Sequence, residues 1–464
     1  MKFCREKREL EEDIEQQRKR TGIVHLVIIG NGITGVTTAR YVRKSSDMEI
    51  SIISSESKYF FSRTALMYVY MGHMRWNDLK PYEDWFWNKN DMKLVHGRVT
   101  ALDTDSHVLR LDNNDTIRYD KLVIATGSHT NRFGWEGQDL NGVQGLYSKQ
   151  DLELLEENSR EVESAAIVGG GLIGIELAEM LHSRGINVTF LVREKLYWNS
   201  HLPDEEAALV SRHIIEHGVR LKLGVELKRI LPDEKGRVRA VATNENEEIP
   251  CQLVGLTPGV HPNIDLVKST KIKTGRGVLV NEYFETNIRD VYAAGDCAEI
   301  EFSTDDREGI VEQLWYTGRM QGMVLARNIL GERKKYDRGV LYNSAKFLDI
   351  EYQTYGIVNP MPSQSEESFY WEHPSGKICL RLAYSASDRS ILGVNIFGIR
   401  LRHRLFEAWI KEKKTVGYVL TNLRSANFDP EFYKKFEREI IDKFNRENSG
   451  GALTLKKQEA ISCS

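Results

Sequence analysis

Three glycines with the spacing of a dinucleotide-binding turn, Gly30, Gly32 and Gly35, follow a Val/Ile-rich strand and open a helix. With this spacing the first glycine makes a tight turn, the second lets the backbone approach a pyrophosphate, and the third allows close packing of the helix on the strand. The free N–H groups of the helix start favour a bound diphosphate. Glu56 ends the next strand, 21 residues after Gly35, where a carboxylate can accept hydrogen bonds from ribose hydroxyls.

The same spacing returns at Gly169, Gly171 and Gly174, again between a strand and a helix. Glu194 falls on the position of the ribose acid in the first unit, and Arg193 precedes it. A carboxylate there favours NADH, whereas an arginine can pair with the 2'-phosphate of NADPH, so the choice of coenzyme stays open. This internal duplication predicts two nucleotide sites.

Strand and helix patterns extend beyond the two glycine segments. Residues 251–335 contain two further strand patterns and then a helix from about Trp315. Beyond Tyr336 the pattern changes to strands separated by turns, among them the stretch 346–358, and a helix is expected over roughly 404–423. Another helix is expected after Pro430. These patterns predict α/β units followed by an α+β unit.

The composition argues against several other classes of protein. The chain has 464 residues, a net charge of -3, 28% charged and 41% apolar residues, so no nucleic-acid partner is expected. The length predicts two or three domains. No apolar run reaches the roughly 18 residues of a spanning helix, and the first residues lack the apolar segment of a secretory signal. A cytoplasmic location without a membrane span is therefore expected.

The cysteines and histidines predict neither a disulfide framework nor a metal site. The five cysteines form no Cys-x-x-Cys pair, which fits a reducing compartment. His213 and His217 stand four residues apart, but the sequence offers no further ligands beside them. The cysteines are Cys4, Cys251, Cys297, Cys379 and Cys463.

Four sequence blocks carry a resemblance to a known family: VIIGNGITG at 27–35, LVIATGS at 122–128, AIVGGGLIGIELA at 166–178 and TNIRDVYAAGDCAE at 286–299. In this order, over about 22–335, they resemble the FAD-dependent pyridine nucleotide-disulfide oxidoreductases. The resemblance is to the branch without redox-active cysteines, which includes rubredoxin and ferredoxin reductases, the nitrite reductase flavin domain and apoptosis-inducing factor.

The resemblance implies an α/β fold with two Rossmann-like dinucleotide-binding domains, the NAD(P) unit inserted in the FAD unit, and a C-terminal α+β domain. The expected division is a charged N-terminal arm at 1–21, an FAD-binding domain at 22–145 and 266–335, an NAD(P)H-binding domain at 146–265, an interface domain at 336–448 and a flexible tail at 449–464.

The resemblance also assigns residues to two ligands. Asp296 is expected on the ribityl chain of FAD, and Glu176 is expected to face the flavin and the nicotinamide. The reaction is expected to take place at flavin N5 without a catalytic side chain, and Glu176 is the one candidate for such a role. The FAD candidates are Gly30, Asn31, Gly32, Thr34, Gly35, Glu56, Ser62, Arg63, Val99, Ala125, Thr126, Gly127, Gly295, Asp296, Gln313 and Leu314. The NAD(P)H candidates are Gly169, Gly171, Leu172, Ile173, Gly174, Glu176, Arg193, Glu194 and Gly259.

One departure from the wider family restricts the chemistry. The disulfide reductases carry a cysteine pair over the flavin, and a single-cysteine branch, which includes NADH oxidases, has one cysteine after the second strand. This chain has Thr64 there. The resemblance therefore implies hydride transfer from NADH or NADPH to FAD and then electron transfer to an acceptor without a thiol step.

The acceptor expected from the resemblance is a small redox protein such as a rubredoxin or ferredoxin. The alternatives are a flavin NAD(P)H oxidase, a quinone reductase, or a redox sensor that holds FAD to control association with a partner. The C-terminal unit occupies the position of the interface domain of the family, so a homo-oligomer is a further expectation.

Overall fold

The computed structural model describes residues 22–302, 309–429, 434–448 and 452–456. The predicted arm at 1–21 and most of the predicted tail at 449–464 lie outside them. The chain divides into two compact units. The first contains the described residues up to 129 together with 148–150 and 260–337, and the second contains 130–147, 151–259 and the described residues from 338 onwards.

The first segment of the chain begins with a strand, the first glycine turn and a helix. The strands are β1 (His25–Ile29), β2 (Glu49–Ser54), β3 (Met92–His96), β4 (Val99–Asp103), β5 (Val108–Leu111), β6 (Thr116–Arg118), β7 (Lys121–Ile124) and β8 (Ser128–Thr130). The helices are α1 (Ile33–Arg43), α2 (Leu66–Tyr70) and α3 (Trp85–Lys89), with short 3-10 turns at Arg63–Ala65 and Trp76–Leu79. All five residues of β1 are buried, as the continuous apolar pattern of a central parallel strand predicts.

The middle segment repeats this order around the second glycine turn. Its strands are β9 (Val143–Gln144), β10 (Ser164–Val168), β11 (Asn187–Val192), β12 (Arg220–Leu223), β13 (Leu227–Pro232), β14 (Val238–Thr243), β15 (Glu248–Pro250), β16 (Leu253–Leu256) and β17 (Val260–Pro262). Its helices are α4 (Lys149–Asn158), α5 (Leu172–Ser183) and α6 (Asp204–Glu216). A five-stranded parallel sheet has the order β12–β11–β10–β16–β9.

The chain then returns to complete the first unit. This segment contains β18 (Val278–Asn281), β19 (Val291–Ala293), β20 (Ala298–Glu301), β21 (Ile310–Val311) and α7 (Trp315–Ile329). The strand β19 joins a five-stranded parallel sheet of order β19–β7–β1–β2–β3. Helix α7 packs closely on α1, because Gly322 leaves no side chain where a Cβ would lie 2.7 Å from the carbonyl oxygen of Thr34.

The C-terminal segment is α+β, as the sequence predicts. Its strands are β22 (Tyr342–Phe347), β23 (Ile350–Gly356), β24 (Glu366–Glu372), β25 (Cys379–Ser385) and β26 (Ile391–Phe397). They form an antiparallel sheet of order β22–β23–β26–β25–β24. Its helices are α8 (His403–Lys411), α9 (Val416–Thr421), α10 (Leu423–Ala426) and α11 (Glu437–Glu447), whose apolar side chains cover a buried cluster on this sheet.

Two predicted elements of this segment are interrupted. The helix expected over 404–423 breaks after Lys411, because Lys413 adopts a positive φ of 50° and the Thr415 side chain accepts a hydrogen bond from Tyr418 N, which starts a new helix. The run 346–358 is two strands, since Leu348 turns the chain with a φ of 56°. That turn places Asp349 between β22 and β23.

In the part of the chain that the structure describes, the two five-stranded parallel sheets and the five-stranded antiparallel sheet confirm the predicted fold class. Among the described residues, no helix is both long and apolar enough to cross a membrane.

Candidate nucleotide-binding sites

The first glycine turn lies at the carboxyl end of β1. Gly30 N donates to the carbonyl oxygen of Ile53 over 2.8 Å, and Gly30 has a φ of 114°. A Cβ there would overlap the carbonyl oxygen of Ala125, and a Cβ at Gly35 would overlap that of Gly30. A Cβ at Gly32 would meet no atom within 4 Å. Packing therefore requires the first and third glycines, and the open space at the second suits the approach of a diphosphate, so the turn fits a dinucleotide such as FAD.

Two further candidates support this turn from within. Asn31 is buried and its side chain donates to the carbonyl oxygen of Ser57 over 2.8 Å. Thr34, in the first turn of α1, lies where a Cβ on Gly295 would come within 2.6 Å of its Oγ1. The structure thus brings the start of α1 against the loop that carries Asp296.

The acid after β2 is held by an arginine. Arg63 Nη1 donates to Glu56 Oε1 over 2.8 Å, and Nη2 donates to Oε2 over 2.6 Å. Lys149 N donates to Oε1 as well, over 2.9 Å. Ser62 caps the 3-10 turn that begins with Arg63. A bidentate guanidinium fixes the plane of the carboxylate, so the structure joins two FAD candidates, the expected ribose acid Glu56 and Arg63, in one group.

A hydrogen-bonded chain connects three separate segments of the first unit. Ser128 Oγ donates to Asp296 Oδ2 over 3.1 Å and accepts from Gln313 Nε2 over 2.9 Å. The Thr126 hydroxyl donates to the carbonyl oxygen of Asn263 over 2.6 Å. Sequence reasoning missed Ser128, although it directly follows Gly127 in the second sequence block. The contact could not be read from the sequence because its partners lie 168 and 185 residues away.

A second buried network fixes the loop of Asp296. Gln321 accepts from Gly295 N over 2.7 Å and donates to Glu312 over 3.1 Å, and the Tyr336 hydroxyl donates to the same carboxylate over 2.6 Å. Gln321, Glu312 and Tyr336 are all buried. Paired polar groups in a core hold one arrangement, and here they hold the residues beside the start of α7.

Two FAD candidates, Val99 and Leu314, have no side-chain part in these hydrogen-bonded networks. Val99 begins β4 and pairs with Leu111, and it takes no part in the networks described above. Leu314 caps α7, where its carbonyl oxygen accepts from Gly318 N over 2.9 Å.

The second glycine turn repeats the backbone frame of the first. Gly169 N donates to the carbonyl oxygen of Leu191 over 3.1 Å, and Gly169 has a φ of 117°. Cβ atoms at Gly169 and Gly174 would overlap the carbonyl oxygens of Thr257 and Gly169 respectively, whereas a Cβ at Gly171 would meet nothing within 4 Å. Leu172 and Ile173 form the first turn of α5.

A tyrosine missed in the sequence supports this turn. The Tyr197 hydroxyl donates to the carbonyl oxygen of Gly171 over 2.9 Å, and its ring is fully buried. Burial raises the pKa of Tyr197 well above its usual value, and the nearby Glu176 adds to the shift, so the hydroxyl stays a donor at neutral pH.

Glu176 lies in the second turn of α5, partly buried. Burial raises its pKa to about 7, with a contribution from the like charge of Glu179. Glu179 itself pairs with Lys346 over 2.6 Å. A carboxyl group that titrates near neutral pH can hold or release a proton, so Glu176 stays the one candidate for a catalytic side chain.

The acid of the second unit lies beside its glycine turn. Glu194 Oε2 would be 3.5 Å from a Cβ on Gly170. Arg193 Nε donates to Glu194 Oε1 over 3.0 Å, with 74% of the arginine side chain and 24% of the glutamate side chain exposed. Gly259 has a φ of 94°, and its carbonyl oxygen accepts from Asn131 N over 3.0 Å. Asn131 is a further residue that sequence reasoning did not single out.

The thiols of the described residues lie in the core. Cys297 is fully buried, its Sγ lies 3.4 Å from the carbonyl oxygen of Ile124, and burial raises the pKa of its thiol. Cys251 and Cys379 are also buried and unpaired. Thr64 lies exposed in the 3-10 turn after β2. Among the described residues, no cysteine therefore stands at the redox-thiol position of related enzymes.

Comparison with known proteins adds to this geometry. The sequence profile described as pyridine nucleotide-disulphide oxidoreductase matches residues 24–322. An NADH oxidase of Methanocaldococcus jannaschii is 32% identical over 324 residues, 67% of this chain and 71% of the relative. A rubredoxin-NAD(+) reductase of Acinetobacter baylyi is 30% identical over 284 residues, 59% of this chain and 72% of the relative.

The fold recurs in solved structures. The NAD-dependent persulfide reductase of A. fulgidus superposes with a TM-score of 0.80 at 22% identity, covering 92% of this chain and 84% of the other. The chain spans about half the length of the two Bacillus subtilis relatives that it matches.

The family match covers both glycine turns and the acids that follow them, so the comparison and the geometry point to the same family. The chain belongs to the pyridine nucleotide-disulphide oxidoreductase family and is an FAD-dependent NAD(P)H oxidoreductase.

Proposed function

We propose that this oxidoreductase passes electrons from NADH, through bound FAD, to a small one-electron redox protein of the rubredoxin or ferredoxin type. The observation that carries the proposal is the set of thiols. Thr64 stands where single-cysteine relatives are expected to need sulfur, and Cys297 is buried with a raised pKa. Electrons then leave from the flavin itself. The similarity to a rubredoxin-NAD(+) reductase supports this type of acceptor.

The chemistry that FAD supplies when bound is acceptance of hydride from NAD(P)H and release of the electrons to an acceptor. The protein contributes the orientation of the bound groups and the charges around them. The group of Ser128, Asp296 and Gln313 offers fixed polar atoms for the ribityl chain, and Glu56 with Arg63 offers a fixed carboxylate for the adenosine ribose. Glu176 can hold a proton at its carboxyl group near pH 7.

The coenzyme preference that we propose is for NADH. Glu194 lies beside the glycine turn with most of its side chain covered, whereas the Arg193 side chain is mostly exposed and its Nε donates a hydrogen bond to Glu194. A carboxylate in this position accepts from ribose hydroxyls and repels a 2'-phosphate.

An anaerobic titration tests the proposal. NADH is expected to bleach the flavin absorption of the purified protein, and addition of oxidised rubredoxin or ferredoxin is expected to restore it in steady turnover. Replacement of Thr64 by alanine should leave the turnover unchanged, because the proposed route uses no group at this position. If neither NADH nor NADPH bleaches the flavin, the reductase assignment is wrong. If neither rubredoxin nor ferredoxin restores the flavin absorption, the proposed type of acceptor is wrong.

A second candidate is an oxidase, and the 32% identity to an NADH oxidase favours it. In that case the acceptor is molecular oxygen. The rate of NADH consumption in air, without any added redox protein, then equals or exceeds the rate with one. The quinone reductase and redox-sensor alternatives predict, respectively, turnover with a soluble quinone and no steady turnover with any acceptor.

Three further proposals concern the whole molecule. We infer an NAD(P)H-binding domain at 146–265 and an interface domain at 336–448 that supports a homo-oligomer. A cytoplasmic location is supported by the unpaired cysteines among the described residues, Cys251, Cys297 and Cys379. Light scattering of the purified protein tests the oligomer, since a monomer at assay concentration contradicts it.

A further inference from the structure

Two histidines and an aspartate converge within the second unit. His213 lies on α6, His217 directly follows its end, and Asp349 lies in the turn between β22 and β23. One ligand atom from each of the three lies within 4.8 Å of the others. His213 Nε2 contacts Asp349 Oδ1, and His217 Nε2 lies 3.2 Å from the same oxygen. Residues four apart lie on one helix face, so both rings reach this turn together.

The hydrogen-bond partners of the two rings indicate which nitrogens face Asp349. His217 Nδ1 lies 2.9 Å from the carbonyl oxygen of His213, which can only accept, so Nδ1 carries the hydrogen. A neutral His217 then directs the lone pair of Nε2 at a carboxylate oxygen. His213 is 1% exposed, and its buried Nδ1 has no hydrogen-bond partner among the described residues. Protonating both rings instead would hold two positive charges with ring centroids 4.2 Å apart.

A cation among the three converging atoms can accept one lone pair from each of them. We propose that His213, His217 and Asp349 bind a divalent transition-metal ion, and that Zn²⁺ suits the donor set best. Two imidazoles and one carboxylate are the protein ligands of a common type of three-ligand zinc site, with water completing the coordination. The contact of His217 Nδ1 with a carbonyl oxygen is the outer hydrogen bond that orients a metal-binding imidazole.

The surroundings define how the aspartate would bind. Lys377 Nζ lies 3.3 Å from Asp349 Oδ2, so this ammonium group occupies one carboxylate oxygen and leaves Oδ1 toward the histidines. The positive charge of Lys377 weakens the binding of any cation, so the site is expected to be weaker than one with a free carboxylate.

The sequence pointed away from a metal here because the histidine pair had no visible further ligand. The third ligand comes from the hairpin turn at Leu348, which the strand pattern of 346–358 did not predict. A bound ion would join α6 of the nucleotide-binding segment to the β22–β23 hairpin. Its expected effect is added stability, because a ligand that binds only the folded chain shifts the unfolding equilibrium.

The test uses the FAD-loaded full chain in a C4S/C463S background, so that terminal thiols do not bind the added metal. After treatment with a chelator, the protein is titrated with Zn²⁺ by calorimetry and with Co²⁺ by visible absorption. The expected result is one ion per chain, Co²⁺ absorption bands of a low-symmetry site, and a higher Tm with Zn²⁺. The variants Asp349→Asn and His217→Gln should each weaken binding at least tenfold.

The matched control is His201→Gln, which removes an exposed histidine of the same unit outside the cluster and should leave binding unchanged. Flavin content and Tm without metal verify that each variant folds. Absence of stoichiometric Zn²⁺ binding overturns the proposal. So does binding of equal strength in Asp349→Asn and His217→Gln, because the ion would then lie elsewhere. Neither result bears on the electron-transfer function, which the anaerobic titration tests separately.

Discussion

The two glycine turns share a backbone frame but differ in how their acids are held. In each unit the first glycine donates to the adjacent strand, at Ile53 or at Leu191, and the third glycine packs on the carbonyl oxygen of the first. Glu56 receives two hydrogen bonds from Arg63 and a third from the backbone, whereas Glu194 contacts a mostly exposed arginine. The two acids are almost equally covered, with 20% and 24% of their side chains exposed. A carboxylate fixed by three hydrogen bonds suits a retained cofactor, and one that contacts only an exposed arginine suits a cosubstrate that exchanges.

The helices after the two glycine turns also differ, in how closely they are packed and in the groups that they carry. Helix α7 packs closely on α1 at Gly322, and the Thr38 hydroxyl of α1 donates a hydrogen bond to the carbonyl oxygen of Gly322. Helix α5 instead carries a titratable carboxyl group, Glu176. We therefore expect the first unit to hold its ligand rigidly, and the second to place a titratable group beside its ligand.

The largest expected effect comes from breaking each frame at its first glycine. Gly30→Ala should abolish FAD retention, because the residue needs a positive φ and its Cβ would overlap Ala125. Gly169→Ala should leave FAD content intact and lower kcat/KM for NADH by more than about 100-fold, the equivalent of roughly 3 kcal/mol. Flavin absorbance and steady-state kinetics measure the two effects.

The control for these variants separates strain from overlap. Gly72→Ala in the first unit has a φ of 76° but no atom within 4 Å of the new Cβ, so it should cost only about 1 kcal/mol of stability and keep FAD. If Gly30→Ala binds FAD as tightly as Gly72→Ala, the close approach of the turn to Ala125 is not required.

A smaller effect is expected from neutralising the two acids. Glu56→Gln should weaken FAD binding, and Glu194→Gln should raise the KM for NADH, each by about 10- to 100-fold, since a hydrogen bond to a charged group contributes about 1.5–3 kcal/mol. Arg193→Ala should reduce the use of NADPH and leave NADH nearly unchanged. A loss of NADH activity in Arg193→Ala would instead show that the arginine, and not Glu194, holds the coenzyme.

The carboxyl group of Glu176 predicts a pH-dependent stability. Burial raises its pKa from 4.5 to about 7, so the folded state binds more protons than the unfolded state in this window. Stability is then lost as the pH rises from about 4.5 to 7, and the penalty is complete above it. Glu176→Gln should remove this penalty, on the order of 2 kcal/mol, at pH 8 and leave stability at pH 4.5 nearly unchanged.

Urea unfolding of both proteins across this pH range measures the difference. Burial also raises the pKa of Glu206, to about 7, so the wild-type slope has a second source that the variant retains. The same pH dependence in Glu176→Gln and wild type would contradict the raised pKa of Glu176.

The parts of the fold and the sites that the sequence predicted are those determined by neighbours along the chain. The glycine turns, the acids after β2 and β11, and the strands β24, β25 and β26 depend on local pattern, and they lie in the chain where that pattern predicts them. The sequence did not predict the break of the helix near Thr415, because the capping hydrogen bond of this residue starts a new helix without changing the apolar periodicity.

The parts that sequence reasoning missed depend on distant partners. Ser128 became visible only through Asp296, and Tyr197 only through Gly171. A serine after a glycine, or a tyrosine in a loop, has no local pattern that distinguishes it from ordinary packing. Asp349 joined His213 only because a hairpin turn brought it to the end of α6. Side-chain contacts of this kind require the tertiary arrangement.

The smallest expected effect tests whether the second turn needs the side-chain support that Tyr197 gives it. Tyr197→Phe removes the donor to Gly171 and leaves a buried acceptor with less support, so the KM for NADH should rise by about 3- to 10-fold with unchanged FAD content. Tyr119→Phe is the matched control in the first unit, because Tyr119 is equally buried and its hydroxyl has no hydrogen-bond partner among the described residues.

The control should therefore bind both FAD and NADH like the wild type, with equal or slightly greater stability. If Tyr197→Phe also behaves like the wild type, the backbone alone holds the second turn. The contrast between the two turns would then rest on how their acids are held, by Arg63 and a backbone N–H in the first unit and by Arg193 in the second.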